Sequence, residues 1–120
     1  MTDLPYVDGF VAAVPAANRE AYRAHAAIAA MVFREAGALS VAECWGDDVP
    51  RGRLTDFWGA VRAEAEEVVV FSWVTWPSRE ARDAGWAAVM ADPRMSKEAN
   101  PMPFDGQRLI YGGFQMILNA

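Results

Sequence analysis

Glu43 stands in the run Val41-Ala42-Glu43-Cys44-Trp45, where strand alternation puts its carboxyl on the same face as Val41 and Trp45. A carboxylate facing an apolar cavity either finds a cationic partner or holds its proton more tightly than usual, and the second case suits a general base. His25, the one histidine of the chain, lies one helical turn from Tyr22 and from Ile28 or Ala29, at the edge of an apolar stripe. It is the second candidate base, and its ordinary alternative is a structural histidine. Arg94 and Arg108 carry guanidinium groups suited to an anion, and Trp45, Trp73 and Tyr111 offer flat apolar surfaces. With Asp105 they form the expected substrate-binding set: Trp45, Trp73, Arg94, Asp105, Arg108 and Tyr111.

Each of these has a structural reading beside the chemical one. Asp47 and Asp48 before Pro50, and Asp105 before Gly106, are common turn residues, and Arg108 can pair with a carboxylate to pin a long loop. Trp45, Trp73, Trp76 and Trp86 can line a pocket for a flat ligand, but aromatics on two-faced strands more often fill a core or an interface. One histidine and scattered carboxylates make no metal-ligand spacing, and no phosphate loop, dinucleotide fingerprint or nucleophile elbow is present. Neither a metal nor a tightly bound cofactor is expected.

The elements that must position these residues follow from periodicity. Tyr6 to Val14 reads as a strand, with Tyr6, Phe10 and Val14 opposite Val7 and Val11. Asn18 as N-cap and Gly37 as C′ residue bracket a helix from about Arg19 to Ala36. Ala38 to Trp45 reads as a second strand. From Asp48 to Ala65 two readings stay open: a short helix capped at Thr55-Asp56, or an extension of the hairpin. Glu67 to Trp76 is a strand apolar on both faces, with Val69, Phe71 and Trp73 on one side and Val68, Val70, Val74 and Trp76 on the other. Ser78 caps a second helix that Asp92-Pro93 stops, and Arg108 to Leu118 reads as a last strand. Met95, Met102 and Phe104, in the connection before it, can close over a void as a lid or reach across a partner subunit.

The sum is an α+β, ferredoxin-like β-α-β-β-α-β chain, a single domain over residues 1–120, with a four-stranded antiparallel sheet and both helices on one side. Two helices cover one face only, so the second apolar face predicts a homodimer in which two sheets pack as a dimeric α/β barrel. A net charge of -5 argues against a nucleic-acid partner. The lone Cys44 makes no internal disulfide, and no apolar run approaches the roughly 20 residues of a membrane span, so a soluble cytoplasmic protein is expected.

Tyr6-Val7-Asp8-Gly9-Phe10, Glu43-Cys44-Trp45-Gly46-Asp47-Asp48-Val49-Pro50, Val70-Phe71-Ser72-Trp73, Trp76-Pro77-Ser78, Asp92-Pro93-Arg94-Met95 and Met102-Pro103-Phe104-Asp105-Gly106 stand out as a set. With Arg108 and Ile110-Tyr111-Gly112-Gly113-Phe114 they resemble the bacterial YbaA-like domain-of-unknown-function family over nearly the whole chain. The resemblance implies the dimeric α/β-barrel superfamily and no established activity. That superfamily includes cofactor-independent quinol monooxygenases and haem-degrading enzymes, which bind ligands between sheet and helices. Haem-degrading members carry an axial histidine on the second helix, and Ser78 to Ala91 holds none. The expectation is therefore a homodimer binding a small, partly apolar molecule, with monooxygenase-like or isomerase-like chemistry, or else a non-catalytic interaction module.

Overall fold

The computed structural model describes residues 4–120. Its sheet is built on β1 (Tyr6–Pro15) and β3 (Glu67–Trp76), which pair antiparallel over ten residues each, from Tyr6 opposite Trp76 to Pro15 opposite Glu67. β2 (Ser40–Trp45) pairs with the outer edge of β3, and β4 (Ile110–Gln115) with that of β1. The order is β2-β3-β1-β4, all antiparallel. The described residues are thus α+β, with an open four-stranded sheet and three α-helices among them.

Two of the strands are shorter than their sequence patterns. Ala38 donates its N–H to the Phe33 carbonyl and Gly37 its N–H to Arg34, a Schellman closure of the preceding helix that uses residues expected in β2. Gly37 takes φ +113°, which a side chain would resist. At the other end, Gly106–Arg108 forms a 3-10 turn and β4 stops at Gln115, because Gln115 pairs with Tyr6, the first residue of β1. Among the described residues, no ladder extends to Met116–Leu118.

The helices α1 (Arg19–Glu35) and α3 (Arg79–Ala91) cross one face of the sheet. Ser78 caps α3 as expected, its Oγ accepting from the Ala81 N–H at 3.1 Å. Asn18 does not cap α1. A 3-10 turn, Ala16–Asn18, runs straight into the helix, so Asn18 lacks the extended backbone of a cap, and its side chain donates to the Pro103 carbonyl at 2.8 Å. Beneath the helices, Val14, Val70, Val74 and Trp76 are buried against Tyr22, Ala26, Phe33 and Val89.

Asp8 shares this inner face with Tyr6 and Phe10, and it is 2% exposed. Its Oδ2 accepts from the indole N–H groups of Trp76 and Trp86, each at 2.9 Å. Arg82 of α3 grips the same carboxylate, with Nη2 to Oδ1 at 2.8 Å and Nε between both oxygens at 3.1 and 3.2 Å. The burial of this charge is tolerable because every lone pair is used.

The opposite face is only partly covered. The open stretch between β2 and β3 contains α2 (Phe57–Ala60), capped by Asp56, whose Oδ1 accepts from the Gly59 N–H at 2.6 Å. Val61 and Trp58 behind it pack on Ala13, Val69 and Val11. Of the two readings left open for Asp48 to Ala65, the short helix capped at Asp56 is the observed one, and it shields one end of the second face that the two long helices leave bare. The rest is a groove of about 620 Å³ lined by Val7, Phe71, Trp73, Ile110, Phe114 and neighbours. The molecule measures 44 × 37 × 20 Å, the thickness of one sheet and one helix layer. Its surface is 8040 Å², against about 6400 Å² for a compact monomer of this mass.

Two expected outcomes follow from the packing. A Cβ at Gly85 would overlap the Trp76 ring and lie 3.1 Å from the Ala36 carbonyl, so Gly85→Ala, which stabilises an ordinary helix by about 1 kcal/mol, should here cost about 1–3 kcal/mol. A lower urea midpoint at unchanged slope checks this. Asp8→Ala strands Arg82 and two indole N–H groups and should cost about 3–5 kcal/mol or prevent folding, measured in the same way.

Candidate functional site

A cavity of about 380 Å³ opens between α1 and the β2 side of the sheet. The α1 residues that face it, Arg19, Tyr22, Arg23, Ala26, Ala27 and Ala30, follow the i, i+3, i+4, i+7 spacing of a single helical stripe. The three alanines keep that stripe short, which leaves the space open. From the sheet come Val41, Glu43 and Trp45, alternate residues of β2, with Val70 of β3 beneath.

The polar centre is a pair. Tyr22 donates its phenolic proton to Glu43 Oε1 at 2.6 Å. Glu43 reaches solvent through the cavity mouth, while protein atoms crowd its other sides. That crowding raises the carboxyl above the usual 4.5, and the hydroxyls of Tyr22 and of Ser72, opposite Glu43 in the ladder, pull it partly back. Burial, then the neighbouring Glu43 charge and the hydrogen bond to it, push the Tyr22 phenol well above its ordinary range, so it remains a proton donor. A carboxyl with raised affinity for a proton, held by a phenol, can exchange a proton with a bound molecule. At the mouth the Arg19 guanidinium lies over the Trp45 ring, 5.4 Å from its centre.

His25 sits one turn beyond Tyr22 and is not among the cavity's lining side chains. Its Nδ1 is 3.0 Å from Asn100 Oδ1, and the Asn100 amide donates back to the His25 carbonyl at 3.2 Å. That second bond fixes the amide's orientation, so His25 Nδ1 carries the proton it donates. Phe104 packs on both Tyr22 and His25, with ring centres 5.6 and 6.2 Å apart. The long connection is thereby fastened to α1 beside the site.

The remaining expected site residues are placed elsewhere. Arg108 meets Glu67 through two bonds of 2.6 and 2.7 Å and also holds Asp105 at 3.0 Å and the Arg62 carbonyl. Glu67 is lowered by that grip, which outweighs the cost of its burial. Arg94 ties Asp92 to Glu35, and its guanidinium takes Asp92 down to about 2. Trp73 borders the groove on the other face of the sheet, whereas Tyr111, opposite Phe10 in the ladder and stacked on its ring, lies at the β4 edge of the helix-covered face. Glu43 and Trp45 are therefore brought together, and Arg94, Asp105, Arg108, Trp73 and Tyr111 are not.

Sequence reasoning missed Arg19, Arg23 and Ser72 as site residues and treated Tyr22 as core. The shared stripe of 19, 22, 23 and 26 was a usable signal, whereas the Glu43–Ser72 register was not. It also missed Asp8, whose parity with Tyr6 and Phe10 already placed a carboxylate on an apolar face. Among the described residues, no three His, Cys, Asp or Glu side chains converge as metal ligands would.

Fold and site define an α+β protein with an open antiparallel sheet and an acid–phenol pair in the cleft under its first helix. The chain belongs to a family of proteins of unknown function, DUF1428, which it matches over residues 5–106. It is 56% identical over 116 residues to the uncharacterized protein YbaA of Escherichia coli strain K12, covering 97% of this chain and 99% of that protein. YbaA of Shigella flexneri matches at the same identity and coverage. The family resemblance carried by the sequence segments is thus established.

The raised Glu43 carboxyl makes a signed prediction. The folded state binds this proton more tightly than the unfolded state, so Glu43's contribution to stability is fullest below 4.5 and declines as pH rises through the raised folded value. Glu43→Gln keeps an acceptor for Tyr22 and cannot ionise. The difference in urea stability between wild type and variant should fall across that window, leaving the variant at least as stable at pH 7–8.

Proposed function

We propose that the chain is a single ferredoxin-like domain that works as a cytoplasmic homodimer, its sheets packed as a dimeric α/β barrel, and that each subunit binds a small, partly apolar molecule in the cleft beneath α1. The observation that carries the binding reading is the cavity of about 380 Å³ with the Tyr22–Glu43 pair inside it. The strand order supports the ferredoxin-like topology, α1 and α3 each linking strands that lie apart in the sheet. The apolar groove and the excess of surface support a partner copy that buries about 800 Å² per subunit. The unpaired Cys44 suits the cytoplasm, and the acidic charge disfavours nucleic acid.

In this reading Glu43 is the base. It removes a proton from an activated carbon or hydroxyl, and Tyr22 steadies the carboxylate before and after. Return of the proton to another atom is isomerase-like chemistry. Capture by dioxygen of a carbanion on a carbon that keeps one hydrogen forms a peroxide, which takes the proton back and breaks its O–O bond to leave a carbonyl and water, and this is monooxygenase-like chemistry. No cofactor is required for the proton step. Trp45 forms a wall for the substrate, and His25 acts through Asn100 and Phe104 to position the connection beside it. Arg94, Asp105 and Arg108 hold that connection in place, Trp73 belongs with the dimer face, and Tyr111 stacks on Phe10 at the edge of the helix-covered face.

Two measurements test this. Light scattering should give twice 13.2 kDa for the wild type, and Phe114→Glu, on the exposed groove, should give a monomer. A monomeric wild type at micromolar concentration removes the dimer. In a fragment screen read by NMR, small apolar acids and phenols should shift signals of Tyr22 and Trp45. Ala30→Phe, which fills the cavity, should abolish those shifts. Fragments that perturb only the outer groove, or nothing, favour an interaction module.

A further inference from the structure

We infer that the molecule taken by this cleft is a small carboxylate with an apolar body, its carboxylate held at the mouth by Arg19 and Arg23. The inference rests on the ligand-binding reading of the cleft and gives that ligand its charge. Two observations carry it.

The first is that the cleft's two cations are unspent. Arg79, Arg82, Arg94 and Arg108 each meet a carboxylate within 3.7 Å, and the other cations without a salt bridge among the described residues, Arg34, Arg51, Arg53, Arg62 and Lys97, lie outside the cleft. Among the described residues, Arg19 and Arg23 make no salt bridge and no side-chain hydrogen bond, although both line a cavity that also contains Glu43. Glu43 spends itself on Tyr22 instead. Neither arginine is among the groups that act on its carboxyl. In a chain of net charge -5, two neighbouring guanidiniums left without an anion are an attraction for one. One turn apart on α1, they can present their planar N–H edges to the same group, and the Trp45 ring orients one of them.

The second is the change in lining along α1. The stretch from Arg19 to Arg23 is cationic and polar, while Ala26, Ala27 and Ala30, with Val41 and Val70 across from them, are wholly apolar. At 1.5 Å per residue, the distance from Arg23 to Ala30 is roughly 10 Å, the length of a two-ring or short-chain apolar group. A ligand with its carboxylate on the arginines therefore lays its body on the alanines, and Glu43 faces the atoms next to its charged end.

The test compares 2-naphthoate with its neutral isostere, 2-naphthamide, by calorimetric titration of the full chain, with NMR shifts of Tyr22 and Trp45 to locate binding. The carboxylate should bind about tenfold more tightly than the amide, the margin expected of a charge-assisted contact. That margin should shrink as salt is raised and vanish in Arg19→Gln/Arg23→Gln. Both side chains are exposed, so the variant should keep its urea midpoint; Arg23→Gln alone serves if it does not. Equal affinity for the two probes, or a preference that survives in the variants, overturns the carboxylate assignment and leaves the cleft as a binding site. If neither probe shifts the cleft signals, the inference falls together with the binding reading.

Discussion

The Asp8 carboxylate accepts from two indole N–H groups and a guanidinium, and it draws those groups from the end of β3 and from two turns of α3. A charge at 2% exposure tolerates no substitute for that arrangement, because each unmet partner would be left without water as well. The network therefore sets how α3 lies on the sheet. It places Trp86 against Phe33 and the Trp76 ring against Gly85, where the helix has no Cβ, and so brings α3 close to α1. The hydrophobic contacts beneath the helices supply area, while this one polar constraint supplies register.

With both long helices committed to one face, the geometry of the second face follows. β3 is apolar on both sides, so whatever the helices leave bare is a liability in water. The chain meets part of it by folding α2 and Trp58 over Ala13 and Val69. Trp58 is secured in turn by its indole bond to the Val49 carbonyl and by Arg51 over its ring. The remaining groove, with Phe71, Phe114 and Ile110 exposed, lies where β4 makes a short edge strand.

The cleft comes from an asymmetry between the two helices. α3 is drawn down by Arg82 and Trp86, whereas the first half of α1 presents alanines toward β2 and has no polar anchor into the sheet except Tyr22. The space that results has one acid–phenol pair in it and two arginines at its rim. The connection from α3 to β4 is fastened over the same end by Asn100, Asn18 and Phe104, so the site is bounded by chain segments distant in sequence. Ion pairs at Arg94 and Arg108 steady the two ends of that connection, which explains why these conspicuous residues stand outside the cavity.

Strand alternation and helical spacing by themselves determined the order of the main elements, the two faces of β1 and β3, the Ser78 cap, Gly37 at the helix end and the placing of Glu43 beside Trp45. These are local properties, since side-chain direction repeats every two or 3.6 residues whatever the rest of the chain does. The family was legible for the same reason, in short segments that stand intact along the chain. Tertiary structure alone decided that Tyr22 meets Glu43, that Arg108 is spent on Glu67, that Asn18 binds Pro103 instead of capping α1, and that Asp8 gathers Arg82 and two tryptophans. Each of those pairs joins residues 21 to 85 positions apart, and no periodicity carries information across such distances. Partner choice there depends on which strand lies beside which, and hydrogen bonding and desolvation select among partners only after the sheet has assembled.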